Sequence, residues 1–284
     1  MDLKKQQFIV VGGSVVLLLV ILLFGNMKPP VKPTAGTAVS TQVEQFDIES
    51  VIRNATAKLT ESQQTYVNGL TEAVVRGDVK EQKIRNYRQL ASFWSDSARA
   101  FIPFIYYTAE AAKLENSEKS LTFAARLLLD NLRGVDQPAL KTWMAGESKE
   151  LFEKAIALNP ANDSLKVGLG STFIFGASAA NPQAVMEGIQ QILEVSRKDS
   201  TNMYAQKMLG IGGIVSGQYD KAVERLEKVA QSEPHDLEAL LMLAEGYERK
   251  GDKENARKWY SHAADHIENP TLKAELDKRI QQLK

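Results

Sequence analysis

A repeat of 34 residues near the C-terminal end restricts the fold of this chain more than any other feature of its sequence. Five sets of residues share this interval: Gly217 with Gly251, Ala222 with Ala256, Leu226 with Tyr260, Val229 with Ala263, and Leu209-Gly210 with Leu243-Ala244. A fixed interval of this length is typical of a supersecondary unit that stacks on copies of itself. We interpret the unit as two antiparallel helices, around 203–216 and 219–231, joined by the turn "GQYD".

The pattern resembles that of the tetratricopeptide repeat family, in which small, large and aromatic residues recur at fixed offsets. One copy comprises Leu209, Gly210, Gly217, Tyr219, Ala222, Leu226, Val229 and Pro234, and the next comprises Leu243, Ala244, Tyr247, Gly251, Ala256, Tyr260 and Ala263. The chain departs from the family pattern at Gly213, where an aromatic residue belongs, and at Glu268, where a proline belongs. Earlier copies are looser. We expect about four repeats between roughly 85 and 268, with an enlarged loop at "RGVDQPALKTW" and a lengthened turn at "GASAANPQ".

These observations predict an all-α fold, a tetratricopeptide-like α-solenoid of antiparallel helix pairs preceded by one N-terminal transmembrane helix. No sustained alternation of apolar and polar residues indicates a strand after the N-terminal segment. Pro103 predicts a kink or a break between two short helices. The predicted domains are a membrane anchor at 1–25, a linker rich in Pro, Gly and Thr at 26–45, N-terminal helices with a degenerate repeat at 46–116, repeats at 117–268 and a capping helix at 269–284.

The N-terminal segment 8–24 contains 17 residues without a charge. As a helix it would be roughly 25 Å long, which is just enough to cross a thin bilayer. Its apolar run is longer than that of a typical cleaved signal peptide, so we expect an uncleaved signal-anchor, with a cleaved signal or a buried soluble helix as the alternatives. Lys4 and Lys5 precede the segment and Lys28 and Lys32 follow it. The flanking charges only slightly favour a single-pass inner-membrane protein with a periplasmic or other extracytoplasmic body.

Composition removes several classes of function. The 35 basic and 35 acidic residues give a formal net charge of zero, whereas a general nucleic-acid binder would carry a basic excess. The chain has no cysteine, which excludes disulfides, thiolate nucleophiles, thiolate metal sites, iron–sulfur clusters and a lipoprotein anchor.

The sequence offers little catalytic chemistry. His262, Asp265 and His266 place two imidazoles at i and i+4, but Asp stands where the related zinc-protease motif requires Glu, and no third ligand motif follows. We therefore interpret the pair as exposed and incidental. The glycine-rich stretches "GLGSTFIFG" and "GIGGIVSG" follow helical patterns rather than strands, which favours helix packing over nucleotide binding. We expect no enzymatic activity, no cofactor and no bound metal.

The family resemblance implies that a partner lies in a concave groove lined by the first helix of each repeat. The positions carried over are Ser171, Ile174, Phe175, Tyr204, Lys207, Ile211, Ile214, Val215, Leu241, Glu245, Glu248 and Arg249. This groove is apolar toward its middle and acidic toward its end, which favours an amphipathic helix or an extended apolar segment with basic flanks. It lacks the Lys/Asn/Arg set with which relatives hold a peptide C-terminal carboxylate.

We expect a membrane-anchored scaffold that binds proteins or peptides and assists the assembly or folding of envelope or secreted proteins. Three alternatives stay open: a cytosol-facing docking receptor, a structural subunit that self-associates within a larger membrane complex, and an enzyme that uses the histidine pair.

Overall fold

The computed structural model describes residues 46–177 and 181–283, and within these ranges all regular structure is helical. The helices are α1 Ile48–Thr56, α2 Glu61–Arg76, α3 Lys80–Ser92, α4 Phe101–Glu115, α5 Glu118–Leu132, α6 Pro138–Leu158, α7 Asp163–Gly176, α8 Pro182–Lys198, α9 Met203–Val215, α10 Tyr219–Ser232, α11 Leu237–Arg249, α12 Lys253–Ala264 and α13 Pro270–Gln282. None of them is long and apolar enough to cross a membrane. The predicted anchor and linker lie outside the described residues.

Local sequence explains where the helices begin and turn. Side chains that accept hydrogen bonds from first-turn backbone N–H groups precede nine of the helices in the described ranges: Asp47, Thr60, Ser117, Asn162, Asn181, Asn202, Asp236, Asp252 and Asn269. Each satisfies a donor that has no partner within its helix. Gly217 and Gly251, the two turn-like glycines, have φ angles of 76° and 83°. Glycine adopts this left-handed region without steric cost, so the two residues turn the chain between paired helices.

Four consecutive helix pairs form the solenoid: α5–α6, α7–α8, α9–α10 and α11–α12. The first helices α5, α7, α9 and α11 pack in a row, and each second helix packs on the first helix of the next pair. Because every pair covers the apolar face of its neighbour, one core runs from Ile105 to Ala263. The predicted helices at 203–216 and 219–231 correspond to α9 and α10 within one residue at each end.

The prediction of an enlarged loop at "RGVDQPALKTW" is wrong. Only residues 133–137 separate α5 from α6, and α6 then continues for 21 residues. Pro138 occupies the first turn of α6, where the missing N–H of proline costs no helical hydrogen bond, so this proline starts a helix rather than marking a loop. At "GASAANPQ", five residues lie between the end of α7 and the start of α8, and residues 178–180 are outside the described ranges.

The N-terminal helices have a core of their own. Val67, Leu90, Phe93, Trp94 and Tyr107 are buried together where α2, α3 and α4 meet. A π-helical turn, Phe93–Ser97, continues α3, and α4 starts at Phe101 after a break. The break predicted at Pro103 therefore falls just before that residue. Pro103 itself lies in the first turn of α4, where its backbone needs no donor.

Glycines set the spacing between helices of the solenoid. A Cβ atom on Gly168 would lie 2.4 Å from the ring of Phe152, and one on Gly210 would lie 2.6 Å from Leu226. Both contacts are shorter than carbon atoms allow, so only glycine lets these helices approach so closely. The glycine-rich stretches are thus packing surfaces, as the sequence indicates.

Candidate partner-binding site

The twelve positions predicted to line the groove have very different environments. Ser171, Ile174, Phe175 and Ile211 are buried, Val215 and Arg249 are exposed, and Tyr204, Lys207, Ile214, Leu241, Glu245 and Glu248 are half-buried. The buried four belong to the interior of the stack. Ile174, for example, would meet a Cβ atom placed on Gly212 or Gly188 at 3.2 Å or less, and the Ser171 hydroxyl donates to the Val167 carbonyl oxygen at 2.8 Å. Ser171, Ile174 and Ile211 leave no surface for a partner, and the ring of Phe175 lies beneath the guanidinium of Arg133.

Charged side chains close the middle of the row of first helices. Arg133, directly after α5, donates to Glu238 at the start of α11. Lys207 on α9 lies 3.2 Å from the same carboxylate and 2.8 Å from Asp236. We call Arg133, Glu238, Lys207 and Asp236 the ionic bridge. Because α5 and α11 belong to the first and last helix pairs, the ionic bridge connects the two ends of the repeat array by side chains.

Aromatic rings strengthen this closure. The guanidinium carbon of Arg133 lies 5.3 Å from the ring centre of Phe175, and its Nη1 lies 3.9 Å from the sulfur of Met242. Arg126 on α5 lies 5.3 Å from the ring centre of Tyr204. Cations at this distance from an aromatic face are attracted by the electron density of the ring. Phe175 is only 6 % exposed.

Neighbouring charges and burial shift the pKa values of residues in and near the ionic bridge. Burial lowers the pKa of Lys207, but the hydrogen bond to Asp236 and the charge of Glu238 outweigh it, so the pKa is raised overall. Burial acts to raise the pKa of Asp236, but hydrogen bonds from Lys207 and from the Ala239 backbone lower it further than burial raises it. Asp130, nearby on α5, has a raised pKa because of partial burial and the negative charge of Glu238. The shifts of Lys207 and Asp236 therefore both favour the charged forms of this ion pair.

An open section lies between α11 and α13. It has a volume of about 590 Å³ and an apolar lining formed by Leu237, Leu241, Ile267, Leu272 and Leu276. Leu272 is 54 % exposed. We call this cavity the C-terminal opening. The predicted groove includes Leu241 but not Leu272 or Leu276, which fall in the predicted capping helix at 269–284, because the family resemblance carries over only positions of the repeats.

The polar residues that line the C-terminal opening are His266, Glu268, Asn269, Glu275 and Arg279. Arg279 is paired with Glu248, its Nε lying 3.1 Å from Oε2 of that carboxylate, and Glu245 is paired with Arg249 at 3.2 Å. Burial and the charge of Glu248, which accepts a hydrogen bond from the Tyr260 hydroxyl, raise the pKa of Tyr260 to about 12. By contrast, Glu268 and Glu275 have no ion pair within the part of the chain that the structure describes. Two carboxylates at the rim are therefore available to a partner's cation.

All three histidines of the chain meet at this end of the solenoid. The ring centres of His235 and His266 lie 5.0 Å apart, and those of His262 and His266 lie 5.3 Å apart. His262 and His266 are half-buried, so the interpretation of an exposed pair is wrong: both are part of an aromatic cluster with Trp259. Among the described residues, no group of three His, Cys, Asp or Glu side chains is arranged to hold a metal ion.

Comparisons with known proteins agree with this architecture. Residues 215–274 match a family model described as tetratricopeptide repeat. A thermophilic TPR protein of Thermus thermophilus has a similar structure, with a TM-score of 0.52 at 16 % identity, covering 72 % of this chain and 98 % of that one. This likeness shows the fold alone. The described part of the chain is thus an all-α solenoid of the tetratricopeptide-repeat type.

Two further solved structures align less well. PilF of Pseudomonas aeruginosa has a TM-score of 0.45 at 15 % identity, covering 72 % of this chain and 85 % of that one. YrrB, described as a TPR protein with an unusual peptide-binding site, has a TM-score of 0.39 at 17 % identity, covering 74 % and 97 %. Comparison with curated proteins gives no match.

Proposed function

We propose that this protein is a binding scaffold that holds a segment of a partner protein in the C-terminal opening. Solenoids of this type present extended surfaces suited to protein or peptide binding, and they generally lack enzymatic activity. The observation that carries the proposal is the C-terminal opening itself, where an apolar lining of α11 and α13 is accessible beside the carboxylates of Glu268 and Glu275. The middle of the row of first helices is closed by the ionic bridge.

The chemistry of the C-terminal opening defines the partner segment. Five aliphatic side chains line it, so the partner contributes leucine-like or other aliphatic residues. Glu268 and Glu275 at the rim favour a basic residue next to that apolar contact. An amphipathic helix or an extended segment with basic flanks meets both requirements.

The proposal extends to the site of action. The apolar segment 8–24 supports a single-pass membrane anchor, and the charges around it slightly favour an extracytoplasmic body. A scaffold held at a membrane in this way would assist the assembly or folding of envelope or secreted proteins. A reporter enzyme fused to the C-terminus tests the orientation, since activity found only in the cytoplasm would exclude an extracytoplasmic body.

The binding proposal is tested with a labelled amphipathic peptide of 15 residues built from leucine and arginine, and with the full-length protein. Leu272→Ser and Glu275→Lys should each weaken binding about tenfold in fluorescence anisotropy, because they remove an apolar contact and reverse a rim charge. Val215→Ser is the matched control, since Val215 is 56 % exposed and lies outside the C-terminal opening. Loss of binding in the Val215 variant instead would move the site to the end of α9.

A further inference from the structure

Arg133 is held by an arrangement suited to recognising a cation. Its guanidinium lies over the ring of Phe175, donates to the carboxylate of Glu238 and approaches the sulfur of Met242. An aromatic face, a carboxylate and a polarisable thioether are the groups that bind guanidinium and ammonium ions in proteins. The three acceptors come from α7 and α11, so two different helix pairs build the arrangement around one side chain.

The acceptors belong to helices of the solenoid, whereas the cation they hold belongs to a connecting segment. Phe175 is buried in the core of the solenoid. Glu238 lies in the first turn of α11 and has a side chain that is 37 % exposed, but it is also held by Lys207, whose side chain is 17 % exposed. Arg133 instead belongs to the short connection between α5 and α6, is followed by Gly134, and has a side chain that is 33 % exposed. Its side chain can therefore leave without disturbing the helices that carry the acceptors.

Charge balance favours replacement of Arg133 by another cation. Three carboxylates, Asp130, Asp236 and Glu238, face three cations, Arg126, Arg133 and Lys207, in this part of the solenoid. If Arg133 leaves, one negative charge is in excess, and a basic side chain of a partner would restore neutrality. The arrangement and the C-terminal opening share α11, on which Glu238 and Met242 directly follow Leu237 and Leu241.

We propose that Phe175, Glu238 and Met242 form a subsite for an arginine or lysine side chain of the partner, and that Arg133 is its internal occupant and competitor. This inference rests on the proposed function. A partner segment with an aliphatic residue in the C-terminal opening places its basic residue in the subsite and displaces Arg133. When an internal competitor occupies a site, the apparent affinity for the partner equals the intrinsic affinity multiplied by the fraction of molecules in which the site is free.

The test compares two labelled peptides on the full-length protein: the leucine/arginine peptide and a copy in which citrulline, an uncharged isostere, replaces each arginine. Arg133→Ala should increase affinity for the arginine peptide by about three- to tenfold, because removing the competitor frees the subsite. The Arg133→Ala variant should bind the citrulline peptide with the same affinity as the wild-type protein does. Glu238→Gln should reduce the preference for arginine over citrulline and leave the part that Glu268 and Glu275 contribute at the rim. Arg88→Ala is the control, since it breaks the Arg88–Glu115 ion pair of 2.6 Å between α3 and α4.

The outcomes separate the two proposals. If Arg133→Ala leaves affinity for the arginine peptide unchanged or weakens it, while the citrulline peptide still binds, Arg133 is a structural ion-pair partner. The subsite is then overturned and the proposed function stands. If neither peptide binds the wild-type protein or the variant, the proposed function fails and the subsite fails with it. Thermal melts of each variant establish that the compared proteins are folded.

Discussion

The repeats α5–α12 and the N-terminal helices α1–α4 are both helical, yet different residues hold them together. In the repeats, glycine and alanine allow close approach and each pair covers the next. In the N-terminal helices, aromatic side chains such as Phe93, Trp94 and Tyr107 fill a separate core, and α3 ends in a π-helical turn. The difference shows that residue types recur at a regular interval in the sequence only where each helix pair packs on a similar pair.

Truncation of the largest buried side chain in each region should give the largest effect and should separate the two cores. Phe152→Ala and Trp94→Ala should each lower the free energy of unfolding by about 4 kcal/mol, since both side chains are almost completely buried. In hydrogen exchange, Trp94→Ala should lose protection in α2–α4 while α9–α12 stay protected. Phe152→Ala should lose protection in the repeats. Equal loss along the whole chain in both variants would mean that the two cores unfold as one unit.

The contact between the regions can be weakened through a single lysine. Lys113 on α4 lies 2.7 Å from Glu147 on α6, and both side chains are about four-fifths buried, with exposures of 20 % and 18 %. Lys113→Gln should lower the free energy of unfolding by about 2 kcal/mol at pH 7, because it leaves a carboxylate without its cation. Lys149→Gln, which removes an exposed pair of 3.8 Å with Glu153, should change it by less than about 0.5 kcal/mol.

Alkaline titration provides a second measurement for Lys113. Burial lowers the pKa of this ammonium, but the carboxylates of Glu147 and Glu110 raise it overall. A raised pKa in the folded state means that the stabilisation is complete below 10.5 and is lost as the pH rises through the folded-state value. The difference between wild type and Lys113→Gln in urea denaturation should therefore be constant from pH 7 to pH 10. A difference that shrinks by pH 8 would contradict the ion pair.

Two glycine substitutions, one in each region, should change the free energy of unfolding in opposite directions. Gly168→Ala should destabilise the repeats by about 2 kcal/mol, since the new methyl group would overlap the ring of Phe152. Gly69→Ala in α2 should stabilise the protein by about 1 kcal/mol, because nothing lies within 4 Å of the added methyl group and alanine favours the helix. Urea denaturation measures both. The same sign for both variants would show that close approach does not set the spacing of the repeats.

The smallest expected effects come from two carboxyl groups near the ionic bridge. Partial burial and Glu238 raise the pKa of Asp130, so its ionised form is less favourable in the folded protein than in the unfolded one. The pKa of Asp236 is lowered overall: burial raises it, but the hydrogen bond from Lys207 outweighs burial. At pH 7, Asp130→Asn should therefore raise the melting temperature by about 2 °C, and Asp236→Asn should lower it by about as much.

Both differences should depend on pH in a defined way. The gain in Asp130→Asn should vanish as the pH falls below 3.8, where the wild-type carboxyl is protonated in both states. The loss in Asp236→Asn should vanish as the pH falls through the lowered pKa of Asp236. Melting curves between pH 3 and pH 7 test both. Changes in melting temperature that are the same at every pH would be caused by packing or helix capping rather than by charge.

The sequence predicted the local architecture of the repeats well. The interval of 34 residues places α9, α10 and the turn at Gly217 within one residue of their positions in the structure. Such features depend on residues close in the chain, whose spacing a periodic pattern records directly. The loop predicted at "RGVDQPALKTW" failed because a proline can start a helix as well as interrupt one.

The candidate site was less accessible to sequence reasoning. Carrying groove positions over from the family resemblance includes Ser171 and Ile174, which are buried, because burial depends on how closely neighbouring helices approach. The contact between Arg133 and Glu238 joins residues 105 positions apart. No periodic pattern marks it, since both side chains are long and their meeting point depends on the curvature of the whole row of helices.

The attachment of α13 has a mechanical consequence. This last helix contacts the repeats through one face, where Leu276 and Ile280 are half-buried and Leu283 is buried. The joints inside the solenoid are tighter, as the contact of Phe152 with Gly168 illustrates. If a captured segment pulls on the C-terminal opening, the load reaches α13 first, and this helix should peel away before any repeat yields. The C-terminal opening would then release the bound segment under tension while the repeats stay folded and able to bind another segment.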